Sequence, residues 1–307
     1  MLLLKTSDQL GNQMFAYASV KTIALDKGYE FRVLPKNMDG ELSNDKDSVY
    51  GNTVDTIFPN VKPEVFTGDA GVLKMAEFQE VTDVNSTSSI CEEAFAVSDN
   101  TLMLGHYIAA GYFMHRIREV REWFAFPKDI QKQAHEALAK VREQYPDRLL
   151  VSAHFRVGPD YRKNGYMLDQ TYWERAAEEV IARTGKEAVF VVFYDKKDET
   201  VERFMGKFPC VDARKTLVYD MCAMSMCDAH IVCNSSFSMM TGLLDEKDGI
   251  VICPSTFPIP EGYLPADCYP EHWIKVEAGH DKKAYGEYQR AMRWYRFKQK
   301  IKKLLKK

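Results

Sequence analysis

The sequence predicts an α/β protein whose parallel sheets are covered by helices on both faces, and three observations carry that expectation. In the second half, short apolar runs at 149–155, 188–193, 230–233 and 249–253 alternate with amphipathic segments, as buried strands alternate with helices. The amino-terminal stretch opens with the same unit: a strand at 2–5, a polar turn, a helical pattern closed by Gly28, and a strand at 29–34. Polar side chains gather directly after several of these strands, at the edge where open α/β sheets build their ligand crevice. At 307 residues the chain has room for one large domain or two ordinary ones. The element pattern favours two, 1–146 and 147–280, divided at Pro146-Asp147, with a basic amphipathic helix over 281–307.

Composition bounds the function. With 46% hydrophobic and 28% charged residues the chain has ordinary soluble composition, and a net charge of −3 gives no sign of a nucleic-acid binder. Seven scattered cysteines form neither a disulfide framework nor a zinc pattern of paired short spacings. Several lie inside apolar runs, which points to buried free thiols in a reducing compartment. Met1-Leu-Leu-Leu-Lys5 is too short for a signal peptide or a span, and no later run reaches eighteen apolar residues. The expectation is a cytoplasmic protein with an optional peripheral contact to a membrane.

In chain order, the strand at 2–5 enters Ser7-Asp-Gln-Leu-Gly11-Asn12-Gln13. Gly11 permits a close backbone approach, and the carboxamides of Asn12 and Gln13 can donate and accept; simple helix-start chemistry is the commoner use of such a turn. A helix follows, with Met14 or Phe15 and Ala18 on one face, to a left-handed cap at Gly28. From Pro35 to about Thr101 periodicity is poor and long loops are expected. Asp45-Lys-Asp47 in that region looks like the acidic pair that chelates metal in some sugar-nucleotide enzymes, although a solvated charged loop is the better reading. A strand over 101–108 and amphipathic helices over 115–124 and 128–145 complete this half.

The stretch 149–161 organises the second half. His154 and Arg156 lie two apart, so on a strand they project from one side, just before the Gly158-Pro159 break. An arginine there offers a fork of donors suited to phosphate, and a histidine a ring donor or acceptor; a core histidine and a surface-paired arginine form the plainer alternative. Helices are expected over 170–184, 198–207, 216–227 and 235–244. The strand at 188 ends in Asp195, which can accept from the N1–H and amino group of a guanine, or cap a helix. Asn234-Ser235-Ser236-Phe-Ser238 follows the strand at 230, where hydroxyls cap a helix or its N–H groups attract an anion. No Gly-x-Gly-x-x-Gly, phosphate loop, His-Glu-x-x-His or nucleophile elbow occurs. Residues 290–307 hold nine basic residues and no acidic one. Trp294, Phe297, Ile301, Leu304 and Leu305 would share a helical face, as on a helix lying on an anionic membrane surface or one packed against the protein.

As a set these residues resemble the glycosyltransferase family that holds the α-1,2-fucosyltransferases, family 11. Leu10-Gly-Asn-Gln-Met-Phe15 with Tyr17-Ala18 is similar to that family's start, His154-Phe-Arg156-Val-Gly158-Pro-Asp160-Tyr161 to its central motif, and Asn234-Ser-Ser-Phe-Ser238 matches intact. Gly111-Tyr-Phe113 also looks like the family. Departures are Asp8-Gln9 for the glycines, Val157 for a second arginine, an inserted Pro159, and Met239-Met240 for tryptophans. The resemblance implies a GT-B-type fold of two Rossmann-like domains facing a cleft, the first on the acceptor side and the second binding the GDP-sugar. It implies an inverting, metal-independent transfer of fucose from GDP-fucose to a glycan hydroxyl, by α-1,2 linkage to galactose or a similar sugar. Arg156 is then catalytic with Asp160 as candidate base, His154 and Asp195 hold the guanine, and Asn234, Ser235, Ser236, Asn12 and Gln13 complete the donor site. The acceptor would be an oligosaccharide or lipid-linked glycan; no cofactor, metal or nucleic-acid partner is expected. A transferase of another GDP-sugar, or a non-catalytic sugar-nucleotide or glycan-binding module, fits the same residues.

Overall fold

A computed structural model describes residues 1–6, 8–34, 54–68, 79–82, 89–259, 262–265 and 267–304. The polar stretch 37–52 with Asp45 and Asp47, residues 83–88, Ser7 and Leu305 lie outside the described residues.

The first unit runs β1 (Leu2–Lys5), α1 (Leu10–Lys27), β2 (Phe31–Val33), α2 (Val54–Ile57), β3 (Gln79–Thr82) and β4 (Thr101–Leu104). Its strands are parallel in the order β2-β1-β4-β3. The chain leaves β1 toward β2 on one side and pairs β4 on the other, which opens a crevice at the carboxyl ends of β1 and β4. Gly28 closes α1 at φ 70°, the left-handed cap the sequence predicts. The strand expected over 101–108 stops at Leu104, because Gly105 (φ 117°) and Tyr107 (φ 49°) turn the backbone out of the sheet. That turn moves His106 from a strand into a loop.

Helices α3 (Ile117–Trp123) and α4 (Lys128–Gln144) lead to the second unit. It continues β5 (Leu149–Phe155), α5 (Pro159–Asn164), α6 (Tyr172–Thr184), β6 (Ala188–Tyr194), α7 (Glu199–Lys207), β7 (Cys210–Asp212), α8 (Leu217–Ser225), β8 (Ala229–Ile231), α9 (Ser236–Leu243) and β9 (Ile250–Pro254). An antiparallel hairpin, β10 (Thr256–Ile259) with β11 (Gly262–Pro265), then precedes β12 (Ile274–Val276) and α10 (Lys282–Leu304). The six-stranded sheet is parallel throughout, in the order β12-β9-β8-β5-β6-β7. Connections run outward from β5 in one direction and from β8 in the other, so the switch point lies between those two strands. The α/β class with helix-covered parallel sheets is the predicted one. Helix α5, β7, the hairpin and β12 are additions to it; Pro159, at the first position of α5, has the fixed φ that starts a helix.

Alternation on β5 explains the layering. Val151, Ala153 and Phe155 face α6, where Phe155 stacks on Trp173 at 4.8 Å, while Leu150 joins Val189 and Val191 against Ala134, Leu138 and Val141 of α4. Helix α4 thus packs on the second sheet. Asp228 fastens it there: despite burial, bonds from Arg142 (2.7 and 3.0 Å), Leu150 N–H and Lys247 hold its carboxyl down to about 2. All seven cysteines are free and six are buried, so the thiols serve as small apolar groups.

The core under the first sheet does not end with that sheet. It gathers Leu2, Leu4, Met14, Phe15 and Tyr17 and runs on into Met239, Met240 and Leu243 of α9. Helices α1 and α9 meet at Gly11, where a Cβ would lie 2.7 Å from Phe237 Cα and closer still to its nitrogen. Gly11→Ala is therefore expected to push the two helix starts apart and cost about 1–3 kcal/mol, read as a lower midpoint in urea unfolding.

Candidate active site

The two crevices face one cavity of about 660 Å³, within the range of small-molecule sites. From the first unit it is lined by Asp8, Gln9, Gly11 and Asn12 after β1 and His106 and Ile108 after β4; from the second by His154, Arg156, Asp160, Asp195 and Asn234 to Phe237.

Arg156 stands at the carboxyl end of β5, its side chain 17% exposed. Nη1 donates to Asp195 Oδ2 and Nη2 to Asp160 Oδ2, each at 2.5 Å, and Nη2 reaches Gln9 Oε1 at 3.4 Å. Tyr161 lies beneath it, with the guanidinium carbon 5.0 Å from the ring centre. Burial disfavours the charge, but Asp195, Tyr161 and Asp160 outweigh it and raise the pKa. The cation is held in place before any ligand arrives.

Asp195 also accepts from Val157 N–H (2.9 Å) and Gly158 N–H (3.0 Å). It shapes the loop after β5, and a Cβ on Gly158 would strike its Oδ2. Both oxygens are therefore engaged, whereas a guanine contact would call on their remaining lone pairs. His154 is 7% exposed, with Nδ1 3.4 Å from Cys233 Sγ and its ring 5.4 Å from that of Phe237. Burial, then Arg156, depress its pKa to about 3, so it stays neutral.

The start of α9 is open. Ser235 occupies the N-cap position without a side-chain cap bond, Ser236 Oγ donates to Asn12 Oδ1, and Ser238 Oγ accepts from Cys233 N–H (3.1 Å). The hydroxyl pair read as possible caps does not cap. Asn234 is tied down from both ends, its Nδ2 donating to Tyr166 O and its carbonyl accepting from Tyr161 Oη, each at 2.8 Å. Helix α1 likewise starts at Gln9 without a side-chain cap. Two helix N-termini, crossed at Gly11, thus point positive dipole ends at the cavity beside a fixed guanidinium, which suits a diphosphate.

Gln13, expected to line the cleft, does not. Its Nε2 donates to Asp8 O (2.8 Å) and its Oε1 accepts from Val54 N–H (3.2 Å), so the side chain orders the turn from behind. Among the cavity groups that escaped the sequence reading are Asp8 and His106, which pair through Oδ2 and Nε2, and Asp220. The signal for His106 was a titratable residue following the glycine at a strand end. Asp220 lies in the first turn of α8, takes Lys215 N–H at 2.8 Å, and is pushed by burial up to about 6. A Ser152–His230–Asp245 line, with links of 2.8 and 3.2 Å, is at most 2% exposed and serves the sheet. Among the described residues no three His, Cys, Asp or Glu side chains cluster to hold a metal.

The description of glycosyl transferase family 11 matches residues 92–277, more than half of the chain. The chain belongs to glycosyl transferase family 11. No curated protein matches the sequence. Among solved structures, POFUT1 in complex with GDP is similar at 11% identity and a TM-score of 0.45, over 81% of this chain and 95% of that one. The fucosyltransferase NodZ from Bradyrhizobium is similar at 14% identity and 0.47, over 79% and 92%. A family 9 glycosyl transferase from Veillonella parvula is similar at 11% and 0.45, over 90% and 86%. The family 11 match takes in the loop after β4, all of the second sheet and the start of α9.

Asp220 gives a pH test of the site's electrostatics. Its folded pKa of about 6 exceeds the ordinary 3.8, so its ionisation opposes folding: the penalty is absent below pH 3.8, grows between the two values and is complete above 6. Asp220→Asn is expected to raise Tm by a few degrees at pH 7 and by nothing at pH 3.8, measured by thermal scans across that range.

Proposed function

We propose that the protein transfers fucose from GDP-fucose, with inversion and without a metal ion, to a hydroxyl of a glycan acceptor, by α-1,2 linkage to galactose or a similar sugar, in surface polysaccharide or oligosaccharide synthesis. The observation that carries this reading is the fixed Arg156 guanidinium between two uncapped helix starts in one family 11 cavity. Those groups take the charge that develops on the departing diphosphate, the work that a metal does in other transferases. A diphosphate arriving at Arg156 displaces Asp160, which is 46% exposed, more readily than Asp195, which two backbone N–H groups also hold. Ser235 then offers its hydroxyl and the start of α9, Ser236 included, its N–H groups to the phosphates, while the Ser236 hydroxyl stays on Asn12. The purine lies toward His154, Asp195 and Asp220; Asp220 accepts from Lys215 N–H on Oδ1, and its second oxygen, bonded by none of the described residues, can meet a guanine edge.

Calorimetry with GDP, GDP-fucose, GDP-mannose and UDP-sugars, with and without a chelator, tests the donor. Selective, chelator-insensitive GDP-fucose binding is expected, and Arg156→Ala should lower transfer by about a hundredfold or more. Turnover undiminished by that substitution would sink the assignment. Binding of GDP-mannose alone would move the chain to another donor, and binding without turnover would make it a sugar-nucleotide module.

A second reading concerns place. No described helix is long and apolar enough to cross a membrane. The first turns of α10 pack, with Ala284 buried and Tyr285 stacked on His280 at 3.9 Å, but Trp294, Tyr295 and Phe297 beyond them are 57, 56 and 53% exposed. That exposure, with Trp294 stacked on Phe297 at 5.9 Å, supports the surface-lying reading over packing of these rings on the protein. We infer a cytoplasmic enzyme resting on an anionic leaflet through 290–307, near a lipid-linked acceptor. Sedimentation with phosphatidylglycerol vesicles, lost on neutral vesicles, in high salt, or on truncation after Gln289, is the expected outcome.

A further inference from the structure

The carboxylates beside Arg156 are poorly placed to take a proton. Asp160 and Asp195 both stand at the guanidinium, on the diphosphate side of the cavity, whether or not the donor displaces one of them, and His154 is sealed against Cys233 and Phe237. An inverting transfer needs its proton acceptor on the side of the sugar opposite the leaving diphosphate. The diphosphate anchor lies at the switch point of the second sheet, so the acceptor side is the switch point of the first.

One titratable pair stands there. His106 follows β4, Asp8 follows β1, and the two neighbouring strands deliver them to the same wall of the cavity. Nε2 of His106 meets Asp8 Oδ2, with the imidazole 21% and the carboxylate 53% exposed. The carboxylate fixes the proton on Nε2, which leaves Nδ1 as the accepting nitrogen; among the described residues no side chain bonds it. Asp8 holds its place at φ 61°, a left-handed conformation that few side chains other than Asn and Asp tolerate. His106, with Asn12 adding to it, keeps that carboxyl below its ordinary range. The other charged groups to reckon with are Lys5 at the end of β1, whose strand position pairs with Leu104, and Arg156, Asp160, Asp195 and Asp220 in the lining of the same cavity.

We propose that His106, held and oriented by Asp8, is the general base that takes the proton of the acceptor hydroxyl. This rests on the GDP-fucose reading above. As the acceptor oxygen bonds to the anomeric carbon of fucose, the carbon–oxygen bond to the β-phosphate breaks, its electron pair leaves with GDP, and the hydroxyl proton passes to His106 Nδ1. Asp8 is a positioning residue that stabilises the resulting imidazolium. Water in place of the acceptor undergoes the same step, so donor hydrolysis reports on the base without a known acceptor.

The test measures GDP affinity by calorimetry and GDP-fucose hydrolysis against pH for wild type, His106→Gln, Asp8→Asn and Asp8→Gly, the last two chosen because Asn and Gly accept the left-handed backbone. His106→Gln should lower hydrolysis about a hundredfold or more and leave GDP affinity within about twofold of wild type. Asp8→Asn and Asp8→Gly should slow hydrolysis and move the acid limb of the pH profile to lower pH, since the imidazolium loses its counter-charge. Hydrolysis by His106→Gln at the wild-type rate, with GDP bound, overturns the base alone. Loss of GDP binding by His106→Gln also overturns it, because a base on the acceptor wall leaves the donor site intact. An unshifted acid limb in both Asp8 variants overturns the positioning role. Wild-type protein that binds no GDP overturns the donor reading, and the base with it.

Discussion

The contact of Gly11 with the backbone of Phe237 is the constraint from which the cavity follows. Two helices can start at one point only if one of them carries no side chain there. Because α1 follows β1 and α9 follows β8, that contact joins the carboxyl edge of the small sheet to the carboxyl edge of the large one. The hydrogen bond from Ser236 to Asn12, one residue along from the contact on α1, fixes the rotation of the pair. The two helix dipoles add where the N-termini meet, at the wall of the cavity.

Arg156 supplies the other fixed element. Burial works against the guanidinium's charge, and the carboxylates and aromatic face that surround it more than offset that cost. The carboxylates divide the work unequally. Asp195 is bound to the loop as well as to the cation and behaves as scaffold, while among the described residues Asp160 is bonded through its carboxylate to the cation alone. Preorganisation of this kind leaves little rearrangement for the moment when charge develops.

Much of this was legible in the sequence, and the legible parts share a physical reason. Strand interiors such as 149–155 and 188–193 announce themselves by continuous apolar runs, and Gly28 by the left-handed cap it allows. His154 and Arg156 were readable because a buried strand carries a charged neighbour only for a reason. What stayed hidden depends on tertiary context. Edge strands β7 and β12, three residues each, have too few residues for a period. Asn12 and Gln13 are chemically equivalent in a sequence, and only the direction of the α1 start decides that Asn12 meets Ser236 while Gln13 faces Val54. His106 was lost inside an apolar run that two positive-φ residues interrupt, Gly105 and the far less expected Tyr107.

Helix α9 belongs by connectivity to the second unit, yet it buries Met239, Met240 and Leu243 in the core beneath the first. Swinging the two sheets apart as rigid halves would drag those side chains into water, at roughly 25 cal/mol for each Å² exposed. The floor of the cleft is thus a weld, and ligand traffic passes through the rim, where Asp8, Gln9, Asp160 and Leu217 are among the exposed groups. A cleft welded at its base loses little of a ligand's binding energy to closure. Its selectivity is then set by the shape and charge of walls already standing, and substitutions along the rim should change how fast ligands come and go more than how tightly they are held.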